Sequence, residues 1–291
     1  MADTDLRRRS VLCASPKGLH RIAYVEWGDP RNRDVLLCVH GLTRSGRDFD
    51  ELARALSGQF RVVCPDLAGR GESDRLADPR LYGVPQYLAD MVTLIARIDC
   101  EALNWVGTSL GGLVGMALAA QPGNPVKKLV LNDAGPVVTR ASLERIGAYV
   151  GVVPEFATLE AADKYVRTVS APFGPHSDVQ WRSLTEHWVR QLPDGSWRPH
   201  YDPQIAEAFR ASMPKKGDLE AWELYDAIRC PTLVLRGEQS DLLGRETTAA
   251  MASRGPKASV VEIAGVGHAP TLMHADQIAL VRDFLLQGDS P

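Results

Sequence analysis

Residues 107–111 read Gly107-Thr108-Ser109-Leu110-Gly111, between the apolar run LNWV and the small-residue helical stretch GLVGMALAA. A serine at a strand-to-helix turn needs glycine two residues to either side, because a side chain there has no room. The turn lifts the hydroxyl above a sheet and sets it at a helix N-terminus, where developing negative charge is favoured. Ser109 is therefore the expected nucleophile. A hydroxyl nucleophile needs a base, and among seven histidines His268 is the best placed. It lies in AGVGHAPTL, a Gly-rich turn between the last strand-like run and the final helix, whereas nearby His274 opens a helix and reads as exposed. An imidazole base needs a carboxylate to fix its tautomer and stabilise its cation. Asp241, in GEQSDLL just past TLVLRG, is the expected acid and completes the chain order Ser109, Asp241, His268. Asp133, at the end of KKLVLND, is the rival, and Glu238 is a third choice.

Attack on a carbonyl creates an oxyanion, which backbone N–H groups can hold. Leu110 follows the nucleophile and supplies one such group. Leu42, in the loop His40-Gly41-Leu42-Thr43-Arg44 after VLLCVH, supplies the second. For the His40 side chain a buried, loop-bonding role is the plainer reading, and for Arg44 an ion pair. Both are kept as possible substrate contacts, together with Trp181 and Trp188.

The elements that must position these groups are visible as pattern. Strands are expected at 21–27, 35–40, 60–66, 103–107, 127–133, 232–237 and 259–263, and helices at 48–57, 86–98, 110–120, 245–254 and 274–286. Runs such as LLCV and LVLRG are apolar on both faces, as in parallel strands covered by helices on both sides. Strand–helix alternation of this kind predicts a mostly parallel α/β sheet with right-handed crossovers. The rhythm breaks between 134 and 225, a far longer connection than a crossover needs. That stretch contains helical runs (SLERIGAYVG, LEAADKYVRTV) and Trp181, Trp188, Trp197 and Trp222, four of the six tryptophans. The expected organisation is an α/β core of 1–133 and 226–291 with a helical cap inserted at 134–225, whose tryptophans line the substrate entrance.

Composition excludes several other classes. With 45% apolar and 24% charged residues the chain reads as an ordinary globular protein. A net charge of −3 gives no strong field, so neither nucleic acid nor an anionic membrane is an expected partner. No stretch approaches the ~20 apolar residues of a membrane span. The N-terminal MADTDLRRRS has arginines but no apolar run after them, unlike a signal peptide. Five widely spaced cysteines without a Cys-x-x-Cys pair predict reduced thiols and a cytoplasmic protein. DLAGRGESD lacks the Gly-Lys-Ser/Thr ending of a phosphate loop and reads as a turn behind the site. No His/Cys/Asp grouping has metal-ligand spacing, so no metal is expected.

The segments HGLTRSGRDFDELA, CPDLAGRGESD, VGTSLGG, LVLRGEQSDLL and GVGHAPTL, in this order, resemble the α/β-hydrolase superfamily with a cap insertion over residues 20 to 286. The resemblance implies a Ser-His-Asp mechanism through an acyl-enzyme, without a cofactor. Serine rather than aspartate at 109 separates the chain from haloalkane dehalogenases and epoxide hydrolases. It is most similar to small bacterial carboxylesterases, enol-lactonases and C–C bond hydrolases. The expected activity is hydrolysis of a small carboxylic ester, with C–C hydrolysis, enol-lactone hydrolysis or acyl transfer on the same triad as alternatives. A non-catalytic ligand-binding receptor is the alternative of a different class. Neither the natural substrate nor the oligomeric state is legible in the sequence.

Overall fold

The computed structural model describes residues 6–288. The expected core limits, and the start of the N-terminal stretch MADTDLRRRS, extend beyond them. Eight strands make the main sheet: β1 Arg7–Ser15, β2 Gly18–Trp27, β3 Asp34–Val39, β4 Arg61–Pro65, β5 Ala102–Thr108, β6 Val126–Asn132, β7 Thr232–Gly237 and β8 Ser259–Ile263. Their spatial order is β1-β2-β4-β3-β5-β6-β7-β8. From β4 to β8 every pairing is parallel, while β2 runs antiparallel to both β1 and β4. Seven of these strands fall where pattern places them. β1 was not among the expected strands, because its run RRRSVLCAS buries only Val11 and Cys13 and leaves the alternating face to solvent. That is the signature of an antiparallel edge strand, which pattern reading weights less than a continuous apolar run.

Period-2 alternation explains how one sheet serves two cores. Along β3, Val35, Leu37 and Val39 face one cluster and Leu36 and Cys38 the other. The first cluster is completed by α2 (Val84–Ile98), α3 (Leu110–Ala119), α8 (Trp222–Ala227) and α9 (Arg245–Met251), through residues such as Met91, Val114, Tyr225 and Met251. The second is closed by α1 (Asp50–Leu56) and α10 (Ala275–Leu286), through Leu52, Leu56, Val281 and Leu285.

Between β6 and β7 the chain leaves the sheet. It forms α4 (Arg140–Tyr149), α5 (Leu159–Val169), α6 (Asp178–Glu186), α7 (Ile205–Ser212) and α8. Two short antiparallel ribbons, Val137–Val138 with Leu219–Glu220 and Val189–Gln191 with Trp197–Pro199, were not anticipated from the helical pattern. The segment is tied to the loops beneath it: Tyr82 Oη donates to Asp202 Oδ2 at 2.8 Å, Gly71 N–H to the His200 carbonyl at 3.0 Å, and Ser45 Oγ to the His187 carbonyl at 3.3 Å.

Sheet order also fixes where a site can form. From β3 the chain crosses to β4 on one side, and β5 lies on the other, so the order reverses between β3 and β5. In open α/β sheets ligands bind at the C-terminal ends of strands beside such a reversal. Here those ends carry His40-Gly41-Leu42 and Ser109.

Candidate active site

Ser109 sits at φ 52°, ψ −114°, a conformation that holds its side chain proud of the sheet. The turn closes only because its flanks lack side chains. A Cβ on Gly111 would lie 1.9 Å from the Val39 carbonyl oxygen, and one on Gly107 would lie 2.3 Å from that of Gly111. Ser109 N–H donates to the Asn132 carbonyl at 3.0 Å, pinning the turn to the end of β6. Backbone strain of this kind costs of order 1–3 kcal/mol and is tolerated where the surroundings over-determine it.

His268 Nε2 lies 2.9 Å from Ser109 Oγ, and its Nδ1 lies 2.6 Å from Asp133 Oδ2. Asp133 is fully buried and is held by three donors: His268 Nδ1, Gly237 N–H to Oδ1 at 3.0 Å, and Ser240 Oγ to Oδ2 at 2.6 Å. The expectation that Asp241 partners the histidine is corrected here. Asp241 does not reach His268: its side chain is 54% exposed and pairs with Arg145. The reason is strand adjacency. β6 lies directly beside β5, pairing Asn132 with Thr108, so the next residue, Asp133, is one strand away from Ser109. β7 lies one strand farther out, and its turn hands Ser240 to Asp133 while turning Asp241 away. Glu238 likewise goes elsewhere, accepting from Gly265 N–H at 2.8 Å.

The two expected oxyanion donors are close to Ser109. Leu110 opens α3, so its N–H has no intrahelical acceptor. A Cβ on Gly41, the residue before Leu42, would meet Ser109 Cβ at 3.7 Å, which puts the β3 loop against Ser109. Both leucines line the cavity above Ser109.

Three of the four residues held as possible substrate contacts are otherwise engaged. His40 is fully buried. Its Nδ1–H donates to the Gly41 carbonyl at 2.7 Å, and its Nε2 accepts from Leu67 N–H at 2.9 Å. Arg44 is paired with Asp48 through contacts of 2.6 to 3.1 Å and donates to the Leu184 carbonyl at 3.2 Å. Trp181 packs with Val166 and Leu184 in a small separate cluster and does not line the cavity. Trp188 does line it, stacked on Tyr165 with ring centres 6.0 Å apart. Trp222 lies away from the cavity with the Arg254 guanidinium 4.4 Å over its ring.

Several supporting residues carry no sequence motif. Arg70, in the turn DLAGRGESD, is fully buried and donates to the Leu42 carbonyl at 2.8 Å and to Tyr87 Oη at 2.6 Å, bracing the Leu42 loop from behind. Asn132 Nδ2 donates to the Pro270 carbonyl at 2.8 Å and so steadies the turn that carries His268. The buried Asp66 accepts from Gly46 and Glu72 N–H groups, and burial pushes its pKa up to about 6.

Burial makes His40 a source of acid sensitivity. Desolvation holds its pKa down at about 4, with the Arg70 charge acting in the same sense. A histidine depressed in the fold stabilises fully above its unfolded value of about 6.5 and loses that contribution as pH falls through its folded value. The window here is pH 6.5 to 4, and the amount is on the order of 3 kcal/mol. His176, His187 and His200 are lowered in the same direction by burial. The stability gap between the parent and His40→Gln is therefore expected to narrow as pH falls from 7 to 4.5, read as denaturant midpoints. A gap that stays constant would show that His40 is not held neutral.

Away from this site, Cys13, His20 and Asp90 come together, all buried, with ligand atoms within 4.8 Å of one another, a grouping that can hold a metal ion. Sequence spacing did not reveal it, because β1, β2 and α2 each contribute one residue. Cys13 and His20 face each other across the β1–β2 ladder, and His20 Nε2 lies 3.0 Å from Asp90 Oδ1.

The cavity over Ser109 has a volume of about 1230 Å³ and is bounded by residues of the β3, β5 and β7 loops and of the 134–225 segment, including Leu143, Ile146, Trp188 and Phe209. Sheet order, glycine-framed serine and the Ser109–His268–Asp133 hydrogen-bond chain define a class, and the chain belongs to the α/β-hydrolase family, whose model matches residues 34–275. Among individual proteins, it is 54% identical over 280 residues to the 3-hydroxybutyrate-oligomer hydrolase of Cupriavidus necator, covering 94% of this chain and 96% of that one. It is 28% identical over 240 residues to the 2-hydroxymuconate semialdehyde hydrolase of a Pseudomonas species, covering 81% and 80%. The crystal structure of an α/β hydrolase from Novosphingobium aromaticivorans superposes with a TM-score of 0.86 at 38% identity, covering 97% and 98%.

Proposed function

We propose that this protein is a serine hydrolase that cleaves the ester bonds of short hydroxyacid oligomers of the 3-hydroxybutyrate type. The observation that carries the reaction is the hydrogen-bond chain from Asp133 through His268 to Ser109 at the floor of an apolar cavity. Ser109 Oγ attacks the ester carbonyl while His268 Nε2 takes its proton. Asp133 stabilises the imidazolium that forms, and the Leu42 and Leu110 amides hold the oxyanion. The tetrahedral intermediate collapses, and His268 returns the proton to the leaving alcohol. Water, activated by the same imidazole, then hydrolyses the acyl-enzyme. The substrate class is supported by the Cupriavidus necator relative and by the volume of the cavity, about 1230 Å³, over Ser109. Residues 134–225 act as a cap that walls the cavity, and the five free thiols suit a reducing, cytoplasmic site of action.

The test is acid release from 3-hydroxybutyrate dimer, trimer and tetramer, beside p-nitrophenyl esters, an enol-lactone and a vinylogous diketone. Preference for the last would move the reading to C–C cleavage. If the cap shapes the cavity, Trp188→Ala should change kcat/KM for the longest relative to the shortest oligomer by about tenfold, since an apolar contact discriminates by ~1–3 kcal/mol. Trp222→Ala should leave that ratio close to the parent's. Equal profiles for parent and Trp188→Ala would remove Trp188 from the specificity wall.

A further inference from the structure

Two arginines, Arg44 and Arg145, are among the residues that line the cavity. They are in opposite states. The Arg44 side chain is 12% exposed, its fork is filled by Asp48, and it also donates to the Leu184 carbonyl. Pulling it from Asp48 would strand a largely buried charge. Arg145, on α4, holds Asp241 through Nε–Oδ2 at 2.6 Å and Nη2–Oδ1 at 3.1 Å, with the two side chains 44% and 54% exposed. Water competes for both members of such a pair, so it opens easily.

Position gives this pair meaning. Asp241 directly follows Ser240, whose hydroxyl bonds Asp133, so the pair lies on the rim of the cavity beside the catalytic carboxylate. The fork of Arg145 is already occupied by a carboxylate in the two-point geometry that any carboxylate ligand would adopt. Opening the pair need not detach α4 from the core, because Ser142 Oγ separately donates to the Asp241 carbonyl at 2.6 Å. We propose that Arg145 is a carboxylate-binding residue of this cavity, with Asp241 holding its place until the free terminal carboxylate of an oligomeric hydroxyacid takes it. The proposal rests on the ester-hydrolase reading above.

The chemistry is consistent with that placement. A linear hydroxyacid oligomer has one hydroxyl end and one carboxylate end, and the carboxylate lies on the alcohol side of whichever ester is cut. The bond from Ser109 Oγ to the carbonyl carbon forms, and the ester C–O bond breaks. The leaving alkoxide takes the His268 proton and departs as a hydroxyacid whose carboxylate was held by Arg145. Water then supplies the second acid from the acyl-enzyme. Arg145 thereby selects acids over neutral esters of equal length without touching the reacting atoms.

The experiment compares 3-hydroxybutyrate trimer as the free acid with the same trimer capped as a primary amide, using the full-length protein. The readout is the ratio of kcat/KM for acid over amide. The parent ratio should exceed one and fall as salt is raised. Arg145→Gln should lower the ratio at least about tenfold, mainly through KM for the acid. Asp241→Asn should raise it, because the competing carboxylate is gone, an effect that loss of a merely structural ion pair would not produce. A parent that cleaves both trimers with a ratio unmoved by Arg145→Gln overturns the subsite alone. A parent that cleaves neither overturns the ester-hydrolase reading and the subsite with it.

Discussion

Ser109→Ala is expected to lower kcat on any ester substrate by about 10⁴-fold or more while leaving the fold intact. The size follows from the chemistry, since without Oγ there is no acyl-enzyme and His268 has no hydroxyl to deprotonate. What remains is the slow hydrolysis that the Leu42 and Leu110 amides assist. The fold should survive because alanine accepts the backbone conformation at 109 no worse than serine does, and the glycines that let the turn close are untouched. Two measurements check this. Thermal melts of parent and variant should agree within a few degrees. A fluorophosphonate should label the parent on the peptide that contains Ser109 and fail to label the variant. An adduct on another serine would displace Ser109 from the role of nucleophile.

The second large effect separates two carboxylates. Asp133→Asn is expected to cost on the order of 10⁴ in kcat. Asp133 Oδ2 accepts from both His268 Nδ1 and Ser240 Oγ, and Oδ1 accepts from Gly237 N–H. Asparagine has one acceptor oxygen for these donors. One turn of its amide sets the N–H₂ against the Gly237 N–H; the other, which avoids that clash, sets the N–H₂ toward His268 Nδ1, and the histidine is then driven to the tautomer that protonates Nε2. That nitrogen then has no lone pair for the serine proton. Asp241→Asn disturbs an exposed ion pair with Arg145 and should cost less than about tenfold on a p-nitrophenyl ester. Measuring both variants on one neutral substrate decides the matter, and a larger loss at Asp241 would reverse the assignment made from the geometry.

The local signals in the sequence were those set by local physics. Apolar runs placed seven of the eight strands, and for the inner parallel ones the reason is that a parallel strand between two helical layers must be apolar on both faces. Ser109 was legible because its turn excludes side chains at 107 and 111, which leaves a glycine frame in the sequence itself. His268 was legible from its Gly-rich turn after the last strand. β1 was not, since an edge strand with one solvated face carries only a weak alternation. The helical reading of 134–225 missed two short ribbons for a similar reason: strands of two or three residues are too brief to show a period.

The choice of acid was a different kind of question. Asp133 and Asp241 both follow a core strand, and nothing within either neighbourhood says which carboxylate faces the imidazole. The answer depends on a contact spanning 135 residues and on β6, not β7, being the neighbour of β5. The same holds for Arg70 behind the oxyanion loop, for Trp181 turned into its own cluster while Trp188 faces the cavity, and for Cys13, His20 and Asp90 meeting from three elements. Sequence by itself determined seven of the eight main-sheet strands, the glycine-framed turn at Ser109 and the loop that carries His268, because each is enforced by the conformation of a few adjacent residues. Tertiary structure alone decided which carboxylate faces His268, the cavity wall and the charged pair that lines it, because side chains brought together from distant segments meet according to strand order and loop direction, which no short stretch of chain encodes.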